Sequence, residues 1–205
     1  MVAHVASVMG MEMTMIDWSE GQWTHEPVRV EQAADGLHVE AVEGSDAWCL
    51  TSYGFVHADE HALLAPMPAT GAVEVDFVAT FEAQFDQAGL FLCIDDEHWV
   101  KAGVEFADGV PQLGAVVTSG HSDWSVAPVP DWVGRTVTIR ASREGNAVTL
   151  RARVEGEDFR LVRVLPLPED TEVLAGPLVC APTRAGLVVH FTRWATGPQD
   201  ASLHP

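Results

Sequence analysis

The chain has 205 residues, 47% of them hydrophobic, with 30 acids against 11 bases and a formal net charge of −19. That length and apolar fraction suit one domain with an ample core, and no apolar run is long enough for a membrane-spanning helix. The acid excess argues against nucleic-acid phosphates and anionic membranes as partners and leaves a neutral or cationic ligand open.

The chain begins MVAHVASVMGMEMTMIDW, without Lys or Arg, so the basic and apolar layout of a signal peptide is missing. Met9, Met11, Met13 and Met15 leave a later true start open, and residues 1–17 read as an N-terminal extension. Beyond them, short alternating or apolar runs are punctuated by Gly, Pro, Asp and Asn, and helical periodicity is scarce. The runs predict strands over 27–32, 36–43, 46–55, 72–83, 87–95, 98–106, 113–119, 135–142, 147–154, 158–165, 173–180 and 186–194. Ala107–Asp108–Gly109 and Arg143–Glu144–Gly145–Asn146 read as hairpin turns, because Asp-Gly and Gly-Asn tolerate positive φ. The pattern is all-β: two curved antiparallel sheets packed face to face in one domain over 18–195, one sheet concave, with a frayed tail over 196–205. Cys49, Cys93 and Cys180 are odd in number and far apart in apolar stretches. They read as buried reduced thiols of a cytoplasmic protein.

The segment WVKAGVEF alternates cleanly: Trp99, Lys101, Gly103 and Glu105 fall on one side of a strand, and Val100, Ala102, Val104 and Phe106 on the other. Such a face is either solvated surface or the floor of a site. Gly103 leaves room where a ligand would approach the backbone. Lys101 and Glu105 stand roughly 13 Å apart along the strand, so each needs a partner from a neighbouring one. Gln87 and Gly89 belong on the same side of the preceding strand.

Taken together, Asp46-Ala47-Trp48, Tyr53-Gly54-Phe55, Asp86-Gln87-Ala88-Gly89, Trp99 to Glu105, Val117-Thr118 and Ser122-Asp123-Trp124-Ser125 resemble the DUF1349 family. Its members are also described as regulation-of-enolase-protein-1-like, within the concanavalin A-like lectin/glucanase superfamily. The resemblance runs from about Trp23 to Trp194. It implies a concanavalin A-like jelly-roll β-sandwich and no settled biochemical activity.

Glu105 is the leading candidate acid, with Asp86 or Asp123 as a second catalytic carboxylate. Glycoside hydrolysis needs the two about 5 Å apart for retention or roughly 6.5–9.5 Å apart for inversion. Retaining glucanases of that superfamily usually carry E-x-D-x-E on one strand; here Glu74-Val-Asp76 has no second Glu in place. That lack favours binding over hydrolysis. The expected ligand is a saccharide or polyol on the concave sheet, lined by Trp48, Asp46, Gln87, Trp99, Lys101, Thr118 and Trp124. Tryptophan faces stack on the C–H groups of sugars; Trp18, Trp23, Trp132 and Trp194 are expected in the core instead. A glycoside-acting enzyme and a regulatory protein-interaction module without a small ligand are the alternatives. No cofactor and no metal are expected. His57 and His61 lack the H-E-x-x-H order, and Asp95-Asp96-Glu97-His98 reads as a solvated turn rather than a calcium loop. Arg143 and Arg163 are candidate clamps for a carboxylate. Monomer and homodimer both remain open.

Overall fold

A computed structural model describes residues 12–204, so most of the expected N-terminal extension lies outside the described residues. In chain order the strands are β1 (Thr14–Met15), β2 (Gln22–Trp23), β3 (Arg29–Ala33), β4 (Gly36–Glu40), β5 (Ala47–Cys49) and β6 (Val56–Ala58). There follow β7 (His61–Pro66), β8 (Gly71–Val78), β9 (Gln87–Cys93), β10 (His98–Ala107), β11 (Val110–Ser119) and β12 (His121–Pro128). The last are β13 (Thr136–Glu144), β14 (Ala147–Val154), β15 (Arg160–Pro166), β16 (Leu174–Cys180) and β17 (Val188–Gly197). Among the described residues, helix is limited to two single 3-10 turns, at Trp18–Glu20 and Pro130–Trp132. No helix among the described residues is long and apolar enough to cross a membrane.

Two large antiparallel sheets carry the architecture. Sheet I runs β15-β14-β13-β8-β17-β4-β3, with β1 added on β17; sheet II runs β12-β11-β10-β9-β16-β7-β2. Strands β5 and β6 form a separate hairpin. Alternation decides the faces. Val73, Val75 and Phe77 of β8 and Val100, Ala102 and Val104 of β10 turn into one shared core with Leu90, Ile139, Leu150 and Phe191. Each of the Val, Leu, Ile and Phe side chains, removed from water, contributes about 1.5–3 kcal/mol. A second, smaller core lies on the other face of sheet II, where Trp48 of the β5–β6 hairpin packs over Phe91, Trp99, Val116 and Leu178. Trp132 and Trp194 are buried, and Trp18 and Trp23 pack against the main core, as expected.

Four local expectations differ from the structure. The run 46–55 is not one strand: Leu50, Ser52 and Gly54 hold φ of 59°, 62° and 73°, which reverses the chain between β5 and β6. β7, read as loop, is buried at five of its six positions and shows no alternation because both its faces are covered. β12, also read as loop, is an exposed edge strand whose polar residues mask its pattern. The tail does not fray. β17 continues to Gly197, and Asp200 accepts hydrogen bonds from Arg140 and Arg151, each at 2.8 Å.

Candidate functional site

The outer face of sheet II, turned away from sheet I, carries the polar side of WVKAGVEF. Antiparallel register sets its neighbours, since directly opposed residues point to the same face. Glu105 lies between Gln87 of β9 and Gln112 of β11, Gly103 between Gly89 and Gly114, and Lys101 between Phe91 and Val116. The glycines cannot be replaced without moving backbone: a Cβ on Gly103 would stand 2.1 Å from the Ala88 carbonyl oxygen. Three bare residues in a row leave a trough across the sheet, with Glu105 on one bank and Lys101 on the other.

Lys101 is buried, yet charged. Its Nζ donates to Asp46 Oδ1 at 2.7 Å and to Gln87 Oε1 at 2.8 Å. Burial, the largest single influence, works against the ammonium, but the acidic groups around it, Asp46 first and then Cys180 and Glu105, together hold the lysine pKa above its ordinary value. Asp46 Oδ1 also accepts from Gln87 Nε2 at 3.2 Å and from the Ala47 amide at 2.8 Å. All of these donors go to one oxygen, so the second oxygen of Asp46 meets no donor among the described residues. Glu105 accepts no hydrogen bond from any described residue. Burial pushes its pKa up to about 7, with Asp46 and Asp108 adding to the rise and Lys101 opposing it.

Above this floor opens a cleft of about 300 Å³, lined by Asp46, Lys101, Glu105, Trp48, Tyr53, Phe55, His57, Phe85, Trp124, Pro182 and Thr183. Its wall is a continuous aromatic strip. Ring centroids follow one another at 6.2 Å from Trp124 to Trp48, 5.6 Å to Tyr53, 5.3 Å to Phe55 and 5.0 Å to His57. Tyr53, Phe55 and Trp124 are exposed. The β5–β6 hairpin that carries most of the strip is tied down by a relay: the Cys49 amide donates to Ser122 Oγ, which is hydrogen-bonded to Thr118 Oγ1, both at 2.9 Å.

Of the residues expected here, Asp46, Trp48, Gln87, Lys101, Glu105 and Trp124 come together. The other four serve elsewhere. Trp99 stacks on Phe91 at 5.6 Å inside the second core, and Thr118 anchors the hairpin. Asp86 is wholly buried, and its carboxylate takes Arg184 Nε and Nη2 and the amides of Glu82 and Ala83. Asp123 points to the opposite face of its strand from Trp124 and pairs with Arg163 at 2.7 Å. Neither supplies the second carboxylate expected beside Glu105, because each is held by an arginine from a distant segment. Asp46 is the acid that shares the cleft with Glu105.

Arg163 pairs with a carboxylate through one nitrogen only, its Nη1 going to Ser125 Oγ, whereas Arg143 is buried against the carbonyls of Pro168, Glu169 and Thr171, so neither is a bidentate clamp. His57 lines the cleft, but His61 is buried apart from it, accepting from the Val42 amide and bonding the His25 carbonyl. Asp95 closes its own turn by accepting from the Glu97 and His98 amides. The three cysteines are free thiols. Sequence reasoning missed Tyr53, Phe55, His57, Phe85, Pro182 and Thr183 as lining residues. The Tyr53-Gly54-Phe55 motif was visible, but its aromatics had no strand phase to place them.

Comparison with known proteins bears on this architecture. "Regulation of enolase protein 1" of Saccharomyces cerevisiae is 35% identical over 195 residues, which cover 95% of this chain and 98% of that protein. The crystal structure of a functionally unknown protein from the same yeast superposes with a TM-score of 0.84 at 33% identity, covering 91% of this chain and 100% of that one. The carbohydrate binding module CBM66 from Bacillus subtilis shares the fold, with a TM-score of 0.56 at 12% identity over 87% of this chain and 95% of that one. A model of the family described as "Protein of unknown function (DUF1349)" matches residues 23–199, and the chain belongs to that family.

Proposed function

We propose that the chain is a lectin-like binding domain that takes a small saccharide or polyol in the cleft above Gly103. One observation carries this reading: an exposed aromatic strip faces a floor of fixed polar groups within a single cleft of about 300 Å³. That volume is at the small end of ligand pockets and suits a short ligand rather than a polymer. Trp124 and Tyr53 offer flat faces to sugar C–H groups. The free oxygen of Asp46 and the Glu105 carboxyl meet hydroxyl groups, while Lys101 and Gln87 hold Asp46 in place. The fold shared with a carbohydrate binding module supports the reading without naming a ligand. Calorimetric titration with monosaccharides and polyols tests it. Binding that disappears in Trp124→Ala, with the fold intact, is expected; no heat from any of them at millimolar concentration refutes it.

A second reading has its own observation. Asp46 and Glu105 line the same cleft, and burial holds Glu105 near pKa 7, where it can donate a proton to a leaving oxygen. On that reading the domain acts on a glycoside, with Glu105 as general acid and Asp46 as the ionised partner. Glu105→Gln would then abolish turnover and leave saccharide binding in place.

A further inference from the structure

A second cluster of chemically active side chains lies on the other sheet, far in the fold from the cleft. His38 of β4 and His190 of β17 are directly opposed in the ladder and share the outer face of sheet I. Their rings stack at 4.2 Å with an angle of 6° between planes. Asp35 sits in the turn that joins β3 to β4, immediately above them. Its Oδ1 is 3.5 Å from His38 Nε2 and its Oδ2 is 3.6 Å from His190 Nε2. We propose that Asp35, His38 and His190 form a binding site for a borderline divalent transition-metal ion, with Zn²⁺ as the reference case.

Spacing is the first argument. A tetrahedral zinc ion with bonds of about 2.0–2.1 Å holds its ligand atoms about 3.3–3.4 Å from one another. Each imidazole reaches one oxygen of the Asp35 carboxylate, His38 at Oδ1 and His190 at Oδ2, within a few tenths of an ångström of that edge, and one ligand atom from each of the three residues lies within 4.8 Å of the others. Aiming both ring-plane lone pairs at one ion needs the stacked imidazoles to turn apart, and His38, His190 and Asp35 retain 31%, 25% and 65% of their side-chain exposure, which leaves room for that rotation.

Rigidity is the second. The turn bearing Asp35 is pressed onto β17: a Cβ on Gly36, whose φ is 141°, would stand 2.1 Å from the Phe191 carbonyl oxygen. His190 Nε2 also lies 3.0 Å from the Asp35 carbonyl oxygen. The backbone therefore brings the three groups together before any ion arrives.

Composition is the third. Two imidazoles and one carboxylate suit zinc, nickel or copper, whereas magnesium and calcium take oxygen ligands. The fourth position is open to water. Glu31, opposed to His38 on β3, shares the face but lies outside the cluster. Elsewhere among the described residues, histidine and carboxylate meet only in pairs, as in His25–Glu60, His57–Asp59 and His98–Asp95. The bland role of the trio is to pin the β3–β4 turn through the hydrogen bond from His190. A metal uses the same nitrogen, so the two roles are separable by experiment. A bound ion would link the edge hairpin β3–β4 to β17, the strand that pairs with β8 at the centre of sheet I.

The test is calorimetric titration of the chelator-treated full chain with zinc chloride, alongside thermal unfolding. One site per chain of micromolar affinity is expected, with a melting temperature that rises with zinc and returns on adding chelator. His38→Gln and His190→Gln should each weaken binding by about tenfold or more, as loss of a ligand requires, and His98→Gln should leave it unchanged. Excess magnesium should not compete. On the unaltered protein, zinc should shift the imidazole proton resonances of His38 and His190 ahead of all other histidines. Binding that survives the double His38→Gln/His190→Gln variant overturns the proposal. So does the absence of any zinc binding at hundreds of micromolar, or a first shift at other histidines.

Discussion

The outer faces of the two sheets solve the same problem in opposite ways. Each puts acids and bases on a strand face that its sheet must partly bury. On sheet I every acid near the centre is matched: Glu74 accepts from Arg140 at 2.8 Å and from Arg193 at 2.6 Å, and Asp200 accepts from Arg140 and Arg151. On sheet II the pairing stops one acid short. Lys101 is taken by Asp46, and Glu105 has no donor among the described residues, in a cleft walled by aromatic rings. A saturated network holds strands together; an unsatisfied carboxyl in a concave, half-dry place is open to a ligand.

The strongest way to break this contrast is Glu74→Ala. Removing the acid leaves Arg140 and Arg193 buried with fewer counter-charges, and stability should fall by about 3–5 kcal/mol in denaturant unfolding. A loss under about 1 kcal/mol would mean that sheet I does not depend on its network.

Glu105→Gln should behave in the opposite sense. The folded protein raises the Glu105 pKa from 4.5 to about 7, so it holds the proton more tightly than the unfolded chain does. The stability contributed by this protonated group is therefore complete below about pH 4.5 and fades as pH climbs through 7, by at most about 3 kcal/mol. Burial sets this pKa, and Lys101, Asp46 and Asp108 are the charged groups that modify it. The glutamine variant should match the parent at pH 5 and exceed it at pH 8. Equal melting curves at both pH values would show that Glu105 is not in the environment described. In Lys101→Met, which removes the one charge that lowers the Glu105 pKa, carboxyl carbon NMR should find Glu105 titrating higher still.

Gly103→Ala sharpens the role of the trough. Its new methyl group would push β10 from β9, with a cost of about 1–3 kcal/mol and loss of any cleft ligand. The smallest expected effect is that of Trp124→Ala. This half-exposed ring should change stability by about 1 kcal/mol or less while removing ligand binding. Such a split between stability and binding is what a recognition residue shows and a core residue does not.

Much of this was readable from local pattern. The alternation in WVKAGVEF put Lys101, Gly103 and Glu105 on one face, and the motifs around it brought Asp46, Trp48, Gln87 and Trp124 into the same argument. The errors have local causes as well. Asp123 and Trp124 are neighbours, and adjacent residues of a strand point to opposite faces, so only one of them reaches the cleft; reading that segment as a loop hid the constraint. β7 escaped because a strand buried on both sides has no polar phase. Trp99 has the right face but lies one step too far along it, under the β5–β6 hairpin.

By itself the sequence determined the all-β class, most strand positions and the polar face of β10, because side-chain period and turn chemistry are properties of short segments. Only tertiary structure decided which acids were free. Asp86 is claimed by Arg184, 98 residues away, and Asp123 by Arg163, 40 residues away, and no local pattern encodes a partner at that separation. The same holds for the trio of Asp35, His38 and His190, which only the pairing of β4 with β17 brings together. Charge pairing and ligand geometry depend on distances of a few ångströms between strands, and those distances are set by register and packing across the whole sandwich.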